Sequence, residues 1–164
     1  MDARSNITSI LDGALGAMPS KFDSPRARVL LIAIGLQESR LTYRDQIVKG
    51  KKPGVVGPAT GLWQFERGGG VKGVLNHPAS KKHLPESITG LTADEVWRRL
   101  VTDDTLAAQL ARLLLWTDPR PMPEQGDASA GWNYYIRNWR PGKPHRQTWG
   151  DCWREAETVV YGYP

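Results

Sequence analysis

The 164-residue chain is 40% hydrophobic and 24% charged, enough for one domain with a real core and short for two. Its net charge of +5 and sequence pI of about 9.5 favour anionic partners, although Lys and Arg are spread along the chain, with tight clusters only at Lys49, Lys51, Lys52 and at Lys81-Lys82. The longest apolar run, Val29 to Ile34, excludes a transmembrane span, and the single cysteine, Cys152, excludes an intramolecular disulfide and a multi-thiolate zinc site.

In chain order the pattern is mainly helical. Ile7, Ile10, Leu11, Ala14, Leu15 and Met18 keep helical spacing behind the cap candidates Ser5 and Asn6. Ser24-Pro25 opens a second helix, with Ser as N-cap and Pro at the first helical position. That helix runs to about Arg40 and is apolar nearly all round from Val29 to Leu36, the mark of a helix in the middle of a domain. Between Leu41 and Thr60 the periodicity fails, and Lys49-Gly50-Lys51-Lys52-Pro53-Gly54 is turn chemistry, so a loop or a small hairpin is expected. Gly68-Gly69-Gly70 lacks the Lys-Ser/Thr sequel of a phosphate loop and precedes a short helix, Val71 to Asn76.

Thr92 and Glu95 have capping-box spacing and open a helix to about Leu100. Another follows Thr102 and contains Leu106, Leu110, Leu113 and Leu114. Pro119, Pro121 and Pro123 enforce an extended connection. Asp127 caps a helix to about Trp139, and Thr148 caps a last one towards Val160. Four of the seven tryptophans (Trp132, Trp139, Trp149, Trp153) fall in the last third, which is therefore expected to pack hard onto the core. No repeat or internal boundary divides the chain, and 1–164 reads as one domain.

The chemistry concentrates in two segments. In Leu30-Leu31-Ile32-Ala33-Ile34-Gly35-Leu36-Gln37-Glu38-Ser39-Arg40, Glu38 shares a helical face with Ile34 and Leu31. Burial and the negative end of the helix dipole both disfavour its ionised form and raise its pKa, as general-acid chemistry on a glycosidic oxygen requires. The same residues also fit a surface carboxylate paired with Arg40 or Arg44. In Gly57-Pro58-Ala59-Thr60-Gly61-Leu62-Trp63-Gln64-Phe65-Glu66, a turn-rich stretch becomes abruptly aromatic and amidic.

Gln37-Glu38-Ser39 at the end of an apolar helix, then Gly61-Leu62-Trp63-Gln64 after a loop, then Trp132-Asn133 far downstream, resembles the lytic transglycosylases related to goose-type lysozyme. The family has Met where Trp63 stands and Tyr where Trp132 stands. The resemblance implies a mainly α, α+β lysozyme-like fold with a buried catalytic helix and a small loop or hairpin region. It implies cleavage of peptidoglycan between N-acetylmuramic acid and N-acetylglucosamine without a cofactor or metal. Glu38 would act first as acid, then as base on the sugar's 6-hydroxyl, leaving 1,6-anhydro ends. Ser39, Trp63, Gln64, Asn133 and Tyr134 would contact substrate, with Tyr135 the other candidate for the phenol. Core packing is the competing reading of Trp63 and the favoured one for Trp132.

A second carboxylate would make the same scaffold a hydrolytic lysozyme. The candidates are Glu66, which also fits an ion pair with Arg67, and Asp45, which also fits a turn. His77, His83 and His145 lack the spacing of a helical metal site, and Cys152 reads as an inert thiol. A basic nucleic-acid-binding or virion structural protein is the reading from another class, but no nucleic-acid motif and no basic helical stripe supports it. The expected partner is peptidoglycan, met as a monomer, with no nucleic acid and no membrane span. No export signal is visible, so the expected route to the wall is a pore or delivery inside a virus particle.

Overall fold

The helix that the apolar run specifies is the axis of the molecule. In the structure, a computed structural model that describes residues 2–44 and 57–162, α2 spans Pro25–Ser39. The Ser24 Oγ accepts the Ala27 N–H at 3.1 Å, and Pro25 occupies the first turn, where its missing N–H has no partner to lose. Every residue from Val29 to Leu36 is buried. Each such Leu or Ile, taken from water, stabilises the fold by roughly 1.5–3 kcal/mol. A helix apolar on all sides needs neighbours on all sides, and it finds them. The last helix, α8 (Arg146–Tyr161), packs most extensively along it, and α6 (Asp104–Trp116) and α7 (Ala128–Trp139) supply further sides.

The other elements close this core. Helix α1 (Ile7–Gly16) lies on α6 and buries Ile7, Leu11, Ala14 and Leu15. Two short helices, α3 (Lys72–Asn76) and α4 (Pro78–Lys81), and α5 (Ala93–Arg99) form the remaining cover. The capping expectations hold at Thr92, whose Oγ1 accepts the Glu95 N–H at 3.2 Å, and at Asp127, which accepts from Ala130 at 3.0 Å. Asn6 precedes α1 without a side-chain cap.

Two local expectations are corrected, and one helix start is new. The last helix starts at Arg146, so Thr148 lies within its first turn; its hydroxyl donates to the His145 carbonyl and to Gln37 Oε1. The α4 turn begins on His77, whose Nδ1 accepts the Ala79 N–H at 3.0 Å, a cap outside the usual Ser/Thr/Asp/Asn set. Gly68-Gly69-Gly70, expected only to precede a helix from Val71, lies in a π-helical turn over Arg67–Val71, and α3 starts one residue later at Lys72.

A two-stranded antiparallel hairpin is the whole of the described sheet. Its strands are β1 (Ala59–Thr60) and β2 (Phe65–Glu66), with Ala59 opposite Glu66 and Thr60 opposite Phe65. It falls at the end of the expected region and beyond. Gly61 turns the chain at φ +80, where a side chain would also press on the Leu100 carbonyl. Asp45 and the Lys49, Lys51, Lys52 turn lie outside the described residues. None of the described helices is long and apolar enough to cross a membrane.

Candidate active site

The end of α2 opens into a cleft of about 1310 Å³. Three strips of chain line most of it: Gln37, Glu38 and Ser39 from α2; Gln64, Phe65 and Glu66 with the glycine-rich segment and the start of α3; and Tyr135, Arg137, Asn138 and Trp139 with the α7–α8 connection. The last two strips meet where the Phe65 and Trp139 rings lie 5.8 Å apart and the Trp139 indole N–H donates to the Trp63 carbonyl at 2.9 Å.

The Glu38 side chain is half-buried in this cleft and forms no ion pair among the described residues. Arg44, one of its expected partners, is held instead by Asp104 through two contacts of 2.9 and 2.7 Å. The Tyr135 hydroxyl donates to Glu38 Oε1 at 2.9 Å. Burial pushes the Glu38 carboxyl up to about 7, the tyrosine hydrogen bond pulls against that shift, and the negative charge of Glu66 adds to it. A carboxyl that titrates near neutral pH can both give and take a proton there.

The ring of Tyr135 is itself fixed. It stacks on Trp149 at 5.2 Å with only 5° between the planes, and Trp149 is fully buried with its N–H on the Ala128 carbonyl. Burial and the adjacent carboxylate raise the Tyr135 pKa, so the phenol keeps its proton and acts as a donor.

Sequence reasoning favoured other residues of α7, and the structure corrects it. Asn133 is exposed and does not line the cleft. Tyr134 is buried, with its hydroxyl directed to the Leu115 and Asp118 carbonyls, on a face of α7 turned from Glu38. Tyr135, and Asn138 one turn later, face the cleft instead. Packing at Gly131 sets this phase: a Cβ there would collide with the Trp153 ring, so this side of α7 must meet α8. Tyr135 and Asn138 stand four and seven residues on, along the same face. Trp132 packs edge-on against Tyr135 and Trp149.

Trp63 is also corrected. It is fully buried, donates its indole N–H to the Leu31 carbonyl at 2.8 Å, and is core, not cleft lining. The Ser39 hydroxyl is engaged within the protein: it donates to the Leu62 carbonyl at 2.6 Å and accepts the Leu41 N–H at 3.1 Å. It ties the end of α2 to the loop before the hairpin and is not available as a donor to a ligand. Gln64 does line the cleft, at φ +51, with its amide N–H on the Gly61 carbonyl at 2.9 Å. Glu66 lines it too. Its expected partner Arg67 pairs with Asp94 at 3.0 Å instead. Gln37, which sequence reasoning left without a role, bonds the His145 carbonyl at 2.8 Å and the Thr148 hydroxyl at 2.9 Å, fixing α8 to the C-terminal end of α2.

Among the described residues no three His, Cys, Asp or Glu side chains gather as they would around a metal ion. Cys152 is half-buried, with its thiol pKa raised by burial. Comparisons of the chain with models of known families, with curated proteins and with solved structures return no match.

Proposed function

We propose that this protein cleaves the glycan strands of peptidoglycan, with Glu38 as its acid and base. The observation that carries the reading is a single one: a half-buried carboxyl, raised to about 7, at the end of the central helix, in a large open cleft, held by a tyrosine donor. The substrate class follows from the resemblance of Gln37-Glu38-Ser39 and Gly61-Leu62-Trp63-Gln64 to lytic transglycosylases.

In this mechanism Glu38 gives its proton to the glycosidic oxygen as the C1–O bond breaks. The 6-hydroxyl oxygen of the same sugar then bonds to C1, and its proton passes to Glu38, which returns to its starting form. Tethering gives that hydroxyl a large effective concentration over water. The products carry 1,6-anhydro ends. Digestion of purified peptidoglycan followed by mass spectrometry tests this. Anhydro muropeptides, each one water lighter than a lysozyme product, are expected; intact strands would reject glycan cleavage.

Glu66 supports a second reading, a hydrolytic lysozyme. It lies in the same cleft, free of Arg67, and its charge reaches Glu38. A carboxylate there would activate water for attack on C1, and the products would then carry reducing ends.

A further inference from the structure

We propose that the cleft selects strands bearing carboxylates, through Lys72, Arg140 and Lys143. The inference rests on the reading of the cleft as a glycan-cleaving site and names the feature of the strand that it holds.

Many arginines of the protein are already paired with its own carboxylates, while three cations that line the cleft are not, among the described residues. Away from the cleft, Arg4, Arg28, Arg44, Arg67, Arg98 and Arg154 each rest on a carboxylate of the protein. Within the cleft only Arg137 does so, on Asp118 at 2.9 Å. Lys72, Arg140 and Lys143 are exposed, line the cleft and have no carboxylate partner among the described residues. The acids that line it are Glu38, half-protonated near pH 7, and Glu66. The cleft therefore holds an excess of positive charge, and a concave surface focuses such a field onto whatever enters.

The two strips present these cations on defined backbone. Lys72 is the first residue of α3, directly after the glycine-rich turn. Arg140 ends α7 in the left-handed region, at φ +48, where glycine sits with less strain. Lys143 lies between Pro141 and Pro144, whose fixed φ angles stiffen the connection. A neutral N-acetylhexosamine polymer has no group that pairs with these side chains. A peptidoglycan strand offers carboxylates from two sources: its peptide stems, and the lactyl ether of muramic acid once a stem is removed.

Three probes of equal length separate these sources: a chitin oligosaccharide without carboxylates, a strand stripped of stems so that the lactyl carboxylates are free, and a stem-bearing strand. Binding is measured by calorimetry with the Glu38→Gln protein, which holds substrate without cutting it. The carboxylate-bearing probe of the right source binds on the order of tenfold more tightly than chitin, as three exposed ion pairs allow, and raised salt shrinks the ratio. A second protein carrying Lys72→Gln, Arg140→Gln and Lys143→Gln as well brings the ratio towards one, with an unchanged melting temperature showing that it is folded. Equal binding of all three probes, or a ratio that survives the triple substitution, overturns the inference. Cleavage by the wild-type protein is followed separately: strands cut without regard to charge leave glycan cleavage standing and reject the selection, whereas no strand cut or bound rejects both.

Discussion

Tyr135 and Glu38 are 97 residues apart in the chain, yet the phenol of one donates to the carboxyl of the other at 2.9 Å. The contact joins α7 to the end of α2 and decides where the Glu38 proton can sit. The phenol favours the ionised carboxyl, while burial favours the protonated one, and burial wins.

Tyr135→Phe is expected to lower turnover by about tenfold, the scale of losing one hydrogen bond to a charged group. It also removes the influence that holds the Glu38 pKa down. The alkaline limb of the pH profile, which marks loss of the acid's proton, should therefore move to higher pH. A profile that keeps its wild-type position while activity falls would show that Tyr135 only supports the fold.

Glu38→Gln is expected to reduce lysis of cell walls a hundred- to ten-thousand-fold, the usual cost of losing a general acid. The same change should stabilise the protein at alkaline pH. The folded carboxyl titrates near 7 and an unperturbed one near 4.5, so the folded state binds the extra proton between those values. Stability then falls as pH rises through that window, by at most on the order of 3 kcal/mol. Glutamine carries no such penalty. Thermal melts should show the variant above wild type at pH 8, with the gap closing towards pH 4; parallel curves would contradict the burial of the charge.

Glu66→Gln separates the two chemistries. If Glu38 works alone, the variant still produces anhydro ends, and loss of the neighbouring negative charge moves the alkaline limb to lower pH, opposite to Tyr135→Phe. Reducing ends from the wild-type protein, lost in Glu66→Gln without loss of fold, would assign Glu66 to water activation.

Gly131→Ala tests the packing that sets the phase of α7. In an exposed helix this change stabilises by up to about 1 kcal/mol. Here the new methyl meets the buried Trp153 ring, and overpacking of that kind costs about 1–3 kcal/mol. A melting temperature lower by several degrees is expected; an increase would mean that α7 and α8 are free to part.

The sequence carried the central helix plainly, because a cap, a proline and a run of apolar residues on all faces agree on one structure. Glu38 was less plain: the helix alone equally fitted a surface carboxylate paired with Arg40 or Arg44, and the motif resemblance singled it out. Position around α7 was harder to read. Trp132, Tyr134, Tyr135, Ile136 and Trp139 make that helix apolar on several sides, so composition alone leaves its inward face open, and the aromatic-Asn pair at Trp132-Asn133 pointed to the wrong one. Gly131 sits where the Trp153 ring leaves no room for a side chain, but Gly13 and Gly150, also within helices, face open space, so the glycine alone does not mark the inward side. Trp63 misled in another way. The resemblance implied that it lines the cleft, with core packing the competing reading, and the indole N–H finds a carbonyl of α2 and lets the whole ring be buried.

Glu38 is borne on the same unbroken helix whose middle is the core, between the Ser24 cap and the left-handed turn at Arg40 and Leu41, with φ values of +57 and +54. Ser39 and Gln37 bind that end to the hairpin loop and to α8. Glu38 thus takes its position from the core helix itself. In the proposed mechanism the strand is therefore drawn to a proton donor whose backbone belongs to the core. A core substitution along α2 therefore acts as a displacement of the reacting group, transmitted along a rod without a joint.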